Sequence, residues 1–467
     1  MRLMNRIFSE LQPGESAELK RLITTDDLFA FAACSGNYNP LHLADAKWSQ
    51  PQAHAPSQET QQRVAPGLFV ASLISAVLGT QLPGAGTLYR RQHLAFHERA
   101  HAGDELVCRV KVLEKQSDGL VLLHTTVHRL ADNALIVSGE ALVSAPSEHI
   151  EANIDLPGLV VQRHRHFEHL LEKVRVLKPL PMAVVCPTET NALAGALLAA
   201  RESVIVPILI GAEAAIRRAA EQLQEDLAAF EIIDVQGSDD VVAAKACALV
   251  REGRAAAVMK GHLHTDDLLR PMLDKTHGLR AGRRFTHVFV MDVPGMPEPL
   301  MVTDAAINIA PDLATKVDIC QNAIDLARSI GMEPRVGVLS AVETVNPAIQ
   351  SSIDAALLSK MADRGQIRGG LVDGPLAMDN AVDIGAARTK GLKGGVAGQA
   401  NILLVPGLDA GNMLAKQLAY ISHAEGAGVV LGAKVPVILN SRSDSAMSRL
   451  ASCAVAVLHH ASHQQSS

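Results

Sequence analysis

The stretch that decides the fold lies near the C-terminus and reads Ile402-Leu403-Leu404-Val405-Pro406-Gly407-Leu408-Asp409-Ala410-Gly411-Asn412. A second stretch, Val435-Pro436-Val437-Ile438-Leu439-Asn440, runs into Ser441-Arg442-Ser443-Asp444-Ser445. Each is an apolar run that ends in small, polar, loop-forming residues, as strands of parallel α/β sheets do. Ligands of such sheets bind beyond the carboxyl ends of the strands. An arginine flanked by hydroxyls suits a doubly charged oxyanion such as phosphate, so the pattern points to phosphoryl or acyl-phosphate chemistry.

The composition is that of a folded protein with several domains. The chain has 467 residues, which at roughly 150 residues per domain predicts two to four domains. Hydrophobic residues make up 48% and charged residues 20%, so a full core can be buried and global disorder is excluded. The net charge of -6 argues against a nucleic-acid partner.

The cysteines and histidines do not form a metal-binding pattern. No two of the six cysteines form a Cys-x-x-Cys pair, so we expect neither a disulfide framework nor a zinc site. His262 and His264 alternate after a strand, but without a converging carboxylate the pattern favours ordinary hydrogen bonding over metal binding. The opening residues do not form a secretory signal, and no run is apolar enough to span a bilayer. We therefore expect a cytoplasmic protein with no membrane partner.

The first third of the chain has the pattern of an antiparallel sheet. One apolar helical run over residues 67–78 is followed by alternating runs at 105–112 and 120–127. This order predicts an α+β domain over 1–146, in which a sheet wraps a single helix. A sheet this small needs a partner to cover it, so we expect a homo-oligomer. Residues 147–165 follow Pro146, contain Pro157 and several charges, and are predicted to be a linker.

Residues 166–467 alternate short apolar strands with helical patterns. This alternation predicts a two-lobed α/β domain with mostly parallel sheets. The predicted strands are 183–186, 206–210, 255–259, 288–291, 336–339, 370–372, 402–405 and 435–439.

Three polar clusters follow strands of this predicted sheet. They begin at Lys260, at Val372 and at Ser441. Glycine and proline at strand ends are ordinary turn formers, so one cluster alone is a weak signal. Three clusters that carry arginines and acids, expected at one edge of one sheet, predict a functional site.

The segment from about residue 183 to 454 resembles the phosphate acetyltransferase and phosphate butyryltransferase family, and its details look closer to the butyryl branch. The resemblance implies reversible transfer of an acyl group between coenzyme A and inorganic phosphate, without a covalent acyl-enzyme. Coenzyme A thioester and phosphate would be substrates, and no tightly bound cofactor is expected. The stretches that carry the resemblance are Lys260-Gly261-His262-Leu263-His264-Thr265, Arg270-Pro271, Leu339-Ser340-Ala341-Val342-Glu343, Asp373-Gly374-Pro375, Gly411-Asn412 and Ser441-Arg442-Ser443-Asp444-Ser445.

The resemblance also implies roles for individual side chains. Arg442 would neutralise phosphate or the tetrahedral oxyanion, and Ser441 would donate a hydrogen bond to the reacting carbonyl or the leaving sulfur. Arg270 would clamp phosphate from a neighbouring loop. Further substrate-binding residues would be Gly261, Thr265, Gly374, Pro375, Gly411 and Asn412.

The base of this reaction does not carry over from the family. The coenzyme A thiol, with a pKa of about 8.5 if cysteine is the model, needs a base or a charge partner. The acetyl branch has an aspartate seven positions after the serine, where this chain has Ser448. Asp444 is the nearest substitute, and its alternative role is to cap the following helix.

The stretch Ser35-Gly36-Asn37-Tyr38-Asn39-Pro40-Leu41-His42-Leu43-Ala44-Asp45 resembles the motif of MaoC-like (R)-specific enoyl-CoA hydratases, which have a hot-dog fold. The resemblance covers about residues 8–146, including Gly67 and Ser72 as substrate-binding positions. In that family an aspartate and a histidine hold the water that adds to trans-2-enoyl-CoA. His42 matches the histidine, and Asn37 stands at the aspartate position. The Gly67 amide, at a helix N-terminus, would polarise the thioester carbonyl.

Asn37 leaves two hypotheses open. An amide cannot accept the proton of water, and loss of a general base commonly costs about two to four powers of ten in rate. In the first hypothesis the protein is bifunctional and hydrates enoyl-CoA weakly. In the second it is an acyltransferase alone, whose N-terminal domain binds acyl-CoA or forms a dimer. A dehydrogenase on a similar scaffold is disfavoured, because no Gly-x-Gly-x-x-Gly follows a strand.

Overall fold

The computed structural model describes residues 2–43, 63–154, 165–441 and 444–466. The chain divides into two compact units, which we call the N-terminal unit, Met1–Val161, and the C-terminal unit, Gln162–Ser467. Within the described residues, no helix has the length and apolar character needed to cross a membrane.

The N-terminal unit is a five-stranded antiparallel sheet in the order β2-β4-β5-β6-β3, packed on one long helix. Its elements are β1 (Arg2–Met4), β2 (Ser16–Leu22), α1 (Thr25–Ser35), α2 (Pro40–Leu43), α3 (Gly67–Thr80), β3 (Leu88–Phe96), β4 (Glu105–Lys115), β5 (Leu120–Arg129), β6 (Leu135–Ser144) and β7 (Glu151–Asn153).

Helix α3 is the core of this unit because it is apolar on nearly every side. Val70, Ile74 and Val77 are almost fully buried on it. They join one apolar cluster with Val110 of β4 and Leu123 of β5. The sheet wrapped on a single helix, expected from the sequence, is confirmed.

Two distant strands of the N-terminal unit pair with each other. β1 runs antiparallel to β7, with Arg2 opposite Asn153 and Met4 opposite Glu151. The Asn5 side chain strengthens this pairing, since its Nδ2 donates to the Glu148 carbonyl and its Oδ1 accepts from the Ile150 amide, both at 2.8 Å. The segment expected to be a linker, 147–165, therefore contributes a strand near its start.

The C-terminal unit alternates strands and helices. Its helices are α4 (Arg165–Val174), α5 (Thr190–Arg201), α6 (Glu213–Leu223), α7 (Asp239–Arg251), α8 (Thr265–Leu273), α9 (Leu313–Ser329), α10 (Gln350–Asp363), α11 (Met378–Val382), α12 (Ile384–Thr389), α13 (Leu408–Tyr420) and α14 (Ala446–Ser466). Its strands are β8 (Leu180–Val185), β9 (Ile205–Gly211), β10 (Glu231–Asp234), β11 (Ala257–Lys260), β12 (Thr286–Asp292), β13 (Leu300–Thr303), β14 (Arg335–Leu339), β15 (Leu371–Leu376), β16 (Ile402–Leu404), β17 (Glu425–Leu431) and β18 (Val437–Ile438).

All eleven strands of this unit form one sheet in the order β10-β9-β8-β11-β18-β17-β12-β13-β16-β14-β15. β10, β9, β8, β11 and β18 are parallel and form a first block. β13, β16, β14 and β15 form a second parallel block. Between them, β17 and β12 pair antiparallel with each other and with their outer neighbours, so the second block runs opposite to the first. The mostly parallel sheet is confirmed.

Helix α14 anchors the middle of this sheet. Its residues from Leu450 to Leu458 are all buried. They join the apolar cluster that holds Val184 of β8, Val429 of β17 and Val288 of β12. The helix is therefore fixed against the sheet.

Candidate active site

A cavity of about 510 Å³ lies beside β12 and β17, the two strands that join the parallel blocks. It is bounded by the end of β11 with the start of α8, by β12, by α13, by the start of β17 and by the loop between β18 and α14. The hydrophobic floor includes Phe289 and Met291. The polar side chains that line it are Lys260, His264, Thr265, His287, Asn412, Lys416, Tyr420, Glu425, Asn440, Ser441, Asp444, Ser445 and Ser448.

Four residues expected at the site line this cavity: Thr265, Asn412, Ser441 and Asp444. Thr265 is the first residue of α8, so the unpaired amides of that helix end lie beside the cavity. Asn412 is on α13, where its Nδ2 lies 3.4 Å from the Ala305 carbonyl oxygen. Ser441 is exposed.

Two expected glycines lie behind the cavity wall, where they allow close packing. A Cβ at Gly261 would lie 2.3 Å from the carbonyl oxygens of both Val185 and Cys186, so a side chain has no room where β11 leads into α8. A Cβ at Gly411 would lie 2.7 Å from the Asp304 carbonyl oxygen. Both glycines therefore shape the backbone around the cavity.

Gly374 and Pro375 lie elsewhere in the sheet. They belong to β15, four strands from β12 and inside the second block. The expectation that all three polar clusters share one edge of the sheet is wrong for this cluster, because β17 and β12 reverse the strand direction between the two blocks. The clusters after β11 and β18 do come together.

The two expected arginines are not both described. Arg270 lies in the last turn of α8, where its side chain is 67% exposed and its Nη1 is 3.6 Å from Oδ1 of Asp267. It is not among the residues that line the cavity. Arg442 lies outside the described residues, as does Ser443.

Asp444 holds Asn440 and Ser441, which follow β18. Its Oδ2 accepts hydrogen bonds from the Ser441 amide at 2.8 Å and from Nδ2 of Asn440 at 3.1 Å. The residue that caps α14 is Ser445, whose Oγ accepts from the Ser448 amide at 3.0 Å. The capping role considered for Asp444 therefore belongs to its neighbour.

Arg449 shapes the site and was not predicted from the sequence. It is only 1% exposed, and its Nη2 donates to the Ser441 carbonyl at 2.9 Å while its Nη1 lies 3.4 Å from the Lys260 carbonyl. Burial lowers the pKa of the guanidinium, and the charge of Asp444 opposes that shift. Gly195 on α5 makes room for it, since a Cβ there would lie 2.4 Å from Cδ of Arg449. The available signal was a lone arginine beside a long apolar helical run.

Glu425 is the second residue missed. It is the first residue of β17, and its Oε1 accepts hydrogen bonds from the hydroxyls of Ser445 and Ser448, each at 2.5 Å. Ser448 is the residue that stands where the acetyl branch has its aspartate. A carboxylate is thus present at that point of the cavity, but a different strand supplies it.

His287 forms part of the cavity's deep wall. It is fully buried, and burial lowers the pKa of its imidazole to about 4, against the opposing charge of Asp304. Its ring meets the Phe289 ring edge-on with 4.4 Å between centroids. The imidazole is therefore neutral near pH 7 and extends the apolar floor.

The histidine of the hydratase-like motif lies close to the residues that lead into α3. Nδ1 of His42, on α2, lies 2.8 Å from the carbonyl oxygen of Val64. Asn37 is half-buried, and its Oδ1 accepts from the Asn39 amide at 3.3 Å, so the amide side chain helps to shape its own turn. Ala44 and Asp45 of the motif lie outside the described residues.

The expected substrate-binding residues of this unit are on α3. Gly67 is its first residue and is exposed, and a Cβ there would lie 2.9 Å from Cε1 of Phe96. Ser72 is also exposed, and its hydroxyl donates to the Phe69 carbonyl at 2.6 Å. The Gly67 amide is therefore open at the helix N-terminus, while the Ser72 proton is used within the helix.

Comparisons with known proteins agree with both halves of this description. Residues 241–457 match the family described as phosphate acetyl/butaryl transferase, and residues 10–130 match the MaoC like domain. A phosphate acetyltransferase of Rhizobium meliloti is 54% identical over 294 residues, which is 63% of this chain and 93% of that protein. A phosphate butyryltransferase of Clostridium beijerinckii is 39% identical over 295 residues, 63% of this chain and 97% of that protein.

A solved structure is also similar. The crystal structure of a branched-chain phosphotransacylase from Enterococcus faecalis V583 matches with a TM-score of 0.53 and 30% identity, covering 60% of this chain and 99% of that one. Fold, cavity and matches together define an acyltransferase. The chain belongs to the phosphate acetyl/butyryl transferase family and carries a MaoC-like hot-dog domain ahead of the transferase. Of the two transferases compared, the acetyltransferase is the more identical, which runs against the expected likeness to the butyryl branch.

Proposed function

We propose that the C-terminal unit transfers a short acyl group between coenzyme A and inorganic phosphate in the cavity beside Ser441. The observation that carries this proposal is the convergence of the Ser441 loop and the N-terminus of α8 on one cavity. A helix N-terminus attracts anions, and Lys260 and Lys416 on the same wall add positive charge. This environment suits a phosphate group next to an apolar floor that can take an acyl chain.

In this proposal, catalysis depends mainly on positioning. Phosphate and thioester are held in line, so that a bimolecular reaction proceeds within one complex. The Ser441 hydroxyl donates to the reacting carbonyl, and Arg442 balances the charge of the tetrahedral intermediate. The Ser441 backbone is held by Asp444 at its amide and by Arg449 at its carbonyl. Arg270 could reach phosphate only by leaving Asp267, because the two side chains are paired.

For the N-terminal unit we propose acyl-CoA binding, with hydration of trans-2-enoyl-CoA weak or absent. The open Gly67 amide and the fixed His42 ring support binding of a thioester carbonyl. Because Asn37 replaces the aspartate that would act as the base, the alternative proposal is a domain that has no catalytic activity. The exposed apolar side chains Leu88 and Phe96, on edge strand β3, support assembly as a homo-oligomer.

The transferase proposal is tested by phosphate-dependent release of coenzyme A from acetyl-CoA and butyryl-CoA, with the full chain. We expect Arg442→Gln to lower the rate about 10²-fold or more, because the intermediate loses a charge partner. The matched control is Arg218→Gln, an exposed arginine of α6 on another part of the unit. Undiminished exchange in Arg442→Gln would remove the basis of the assignment.

A further inference from the structure

Two acidic side chains line the cavity in the described part of the chain, Asp444 and Glu425. They are engaged in different ways. Asp444 uses one oxygen, Oδ2, to hold the Ser441 amide and the Asn440 side chain. Moving or protonating this carboxylate would disturb the loop that it organises. It is therefore poorly suited to exchange protons with a substrate.

The Glu425 carboxylate is held through one oxygen only. Its Oε1 accepts both serine hydroxyls, Ser445 and Ser448, which lie on the loop and first turn of α14. No hydrogen bond or ion pair joins its Oε2 to the described residues. Two anchors on one oxygen define the direction of the carboxyl group, and the second oxygen is left for a ligand in the cavity.

The position of Glu425 along the sheet places it on the reaction side of the cavity. It opens β17, and β17 pairs antiparallel with β18 so that Gly428 lies beside Leu439. The start of β17 therefore extends past the carboxyl end of β18, where the Ser441 loop begins. Ser441 and Glu425 are consequently on neighbouring elements, both tied to the residues that open α14.

We propose that Glu425 is the catalytic base that takes the thiol proton of coenzyme A when acyl phosphate is consumed. The inference rests on the proposed transferase function and assigns the base which that reaction needs. Its physical ground is a carboxylate with one anchored oxygen and one open oxygen beside the nucleophile's path. Ser448, in place of an acid, serves to orient it.

The step balances as follows in the direction of acyl-CoA synthesis. Glu425 accepts the thiol proton, the sulfur electron pair forms the C–S bond, and the bond between the carbonyl carbon and the phosphate oxygen breaks. Phosphate leaves with that electron pair, and the proton passes from Glu425 to phosphate or to water. In the reverse direction the protonated Glu425 returns its proton to the leaving sulfur.

His264 is the competing base on the same wall. It is exposed at the residue before α8, and imidazole is a common base near neutral pH. It lies on the α8 side of the cavity, whereas Glu425 is tied to the residues that open the helix after Ser441. The test must therefore separate these two side chains.

The test measures kcat for acetyl phosphate plus coenzyme A at pH 7 and pH 9.5, with the full chain. We expect Glu425→Gln to lower kcat at pH 7 by about 10² to 10⁴-fold. The deficit should shrink at least tenfold at pH 9.5, because above a pKa of about 8.5 the solvent itself supplies thiolate. KM for acetyl phosphate should stay unchanged. Glu221→Gln, on the exposed face of α6, is the matched control and should equal the wild type.

Three outcomes would overturn the assignment. Activity of Glu425→Gln within twofold of wild type would exclude a base role. An equal deficit at both pH values would make the residue structural only. A deficit relieved at high pH in His264→Gln but not in Glu425→Gln would move the base to His264.

A second variant keeps the proposal testable if Glu425→Gln does not fold. The double change Ser445→Ala with Ser448→Ala removes both anchors and leaves the carboxylate. We expect about a tenfold lower kcat at pH 7 with the same relief at pH 9.5, and an unchanged kcat would count against the proposal. A wild type that shows no phosphate-dependent exchange would instead refute the transferase function itself.

Discussion

Arg449, buried at the start of α14, donates a hydrogen bond of 2.9 Å to the carbonyl oxygen of Ser441. The other end of the same guanidinium lies 3.4 Å from the Lys260 carbonyl. One side chain therefore links the loops that follow β18 and β11, the two strand ends that form the candidate site. The planar fork of arginine makes this double contact possible.

We expect Arg449→Lys to weaken both stability and catalysis. A single ammonium cannot reach both carbonyls in the same way, so at least one loses its partner. The free energy of unfolding should fall by about 1.5–3 kcal/mol in urea titrations, and kcat for acyl transfer should fall at least tenfold. Arg218→Lys is the matched control. Lost stability with unchanged kcat would mean that the link to Ser441 has no catalytic consequence.

Gly195→Ala should disturb the same link from the opposite side. The new Cβ would lie 2.4 Å from Cδ and 2.8 Å from Cβ of Arg449, so the side chain must shift. Overpacking of this kind costs about 1–3 kcal/mol. Gly79→Ala is a matched change, because that helical glycine on α3 has nothing within 4 Å of the new Cβ. It should be neutral or stabilising by up to about 1 kcal/mol. Calorimetry of both variants measures whether each change lowers or raises the free energy of unfolding.

Asn37→Asp should restore enoyl-CoA hydration in the N-terminal unit. A carboxylate at this position can accept the water proton that the amide cannot, so the rate with crotonyl-CoA should rise about 10²-fold or more. The loss of absorbance of the conjugated thioester measures it. Asn133→Asp, in an exposed turn, should have no effect. Robust hydration by the wild type would instead exclude a purely binding or dimerising domain.

The stability of the C-terminal unit should fall in mild acid, and His459 is one of the groups responsible. Burial lowers the pKa of this imidazole to about 4, and His463 and His460 act in the same direction while Asp325 opposes them. The unfolded chain, with a pKa of about 6.5, then binds more protons than the folded chain between about pH 6.5 and 4. Stability is complete above that window and is lost as the pH falls through it.

The variant His459→Gln tests whether this histidine lowers stability as the pH falls. At pH 5 the histidine should cost about 2 kcal/mol relative to pH 7, so the variant should lose that much less stability between the two values. Urea unfolding at pH 7 and pH 5 measures the difference. His277→Gln, on a side chain that is 76% exposed, should keep the wild-type dependence. An unchanged pH dependence in His459→Gln would show that other groups dominate.

Most strands of the C-terminal unit were predictable, but β10, β13 and β17 were not. All eight strands expected in the C-terminal unit occur, because each is a short apolar run followed by a turn or a helix. β17 was missed, since two of its first four residues, Gly426 and Gly428, are glycines and no helix separates it from β18. β17 helps to reverse the sheet direction, so the mistaken position of Gly374 follows from the same omission.

Site residues that directly follow a strand end were predictable from the sequence. Those that reach the site through strand pairing or through contacts distant in sequence were not. Ser441, Asp444 and Thr265 follow strand ends, and the structure brings them to one cavity. Glu425 reaches that cavity only through the β17 and β18 register, which no local pattern encodes. Arg449 was equally hidden, because its role depends on two carbonyls that are distant in sequence.

The pairing of β1 with β7 decides where the N-terminal unit can be cut for study in isolation. A fragment that stops at residue 146 would leave β1 without its partner, and an unpaired strand edge invites self-association. A fragment that ends after residue 154 keeps the pairing of β1 with β7 and the Asn5 hydrogen bonds beside it. If the shorter fragment aggregates, the cause would then be the unpaired β1 strand and not low stability of the domain itself.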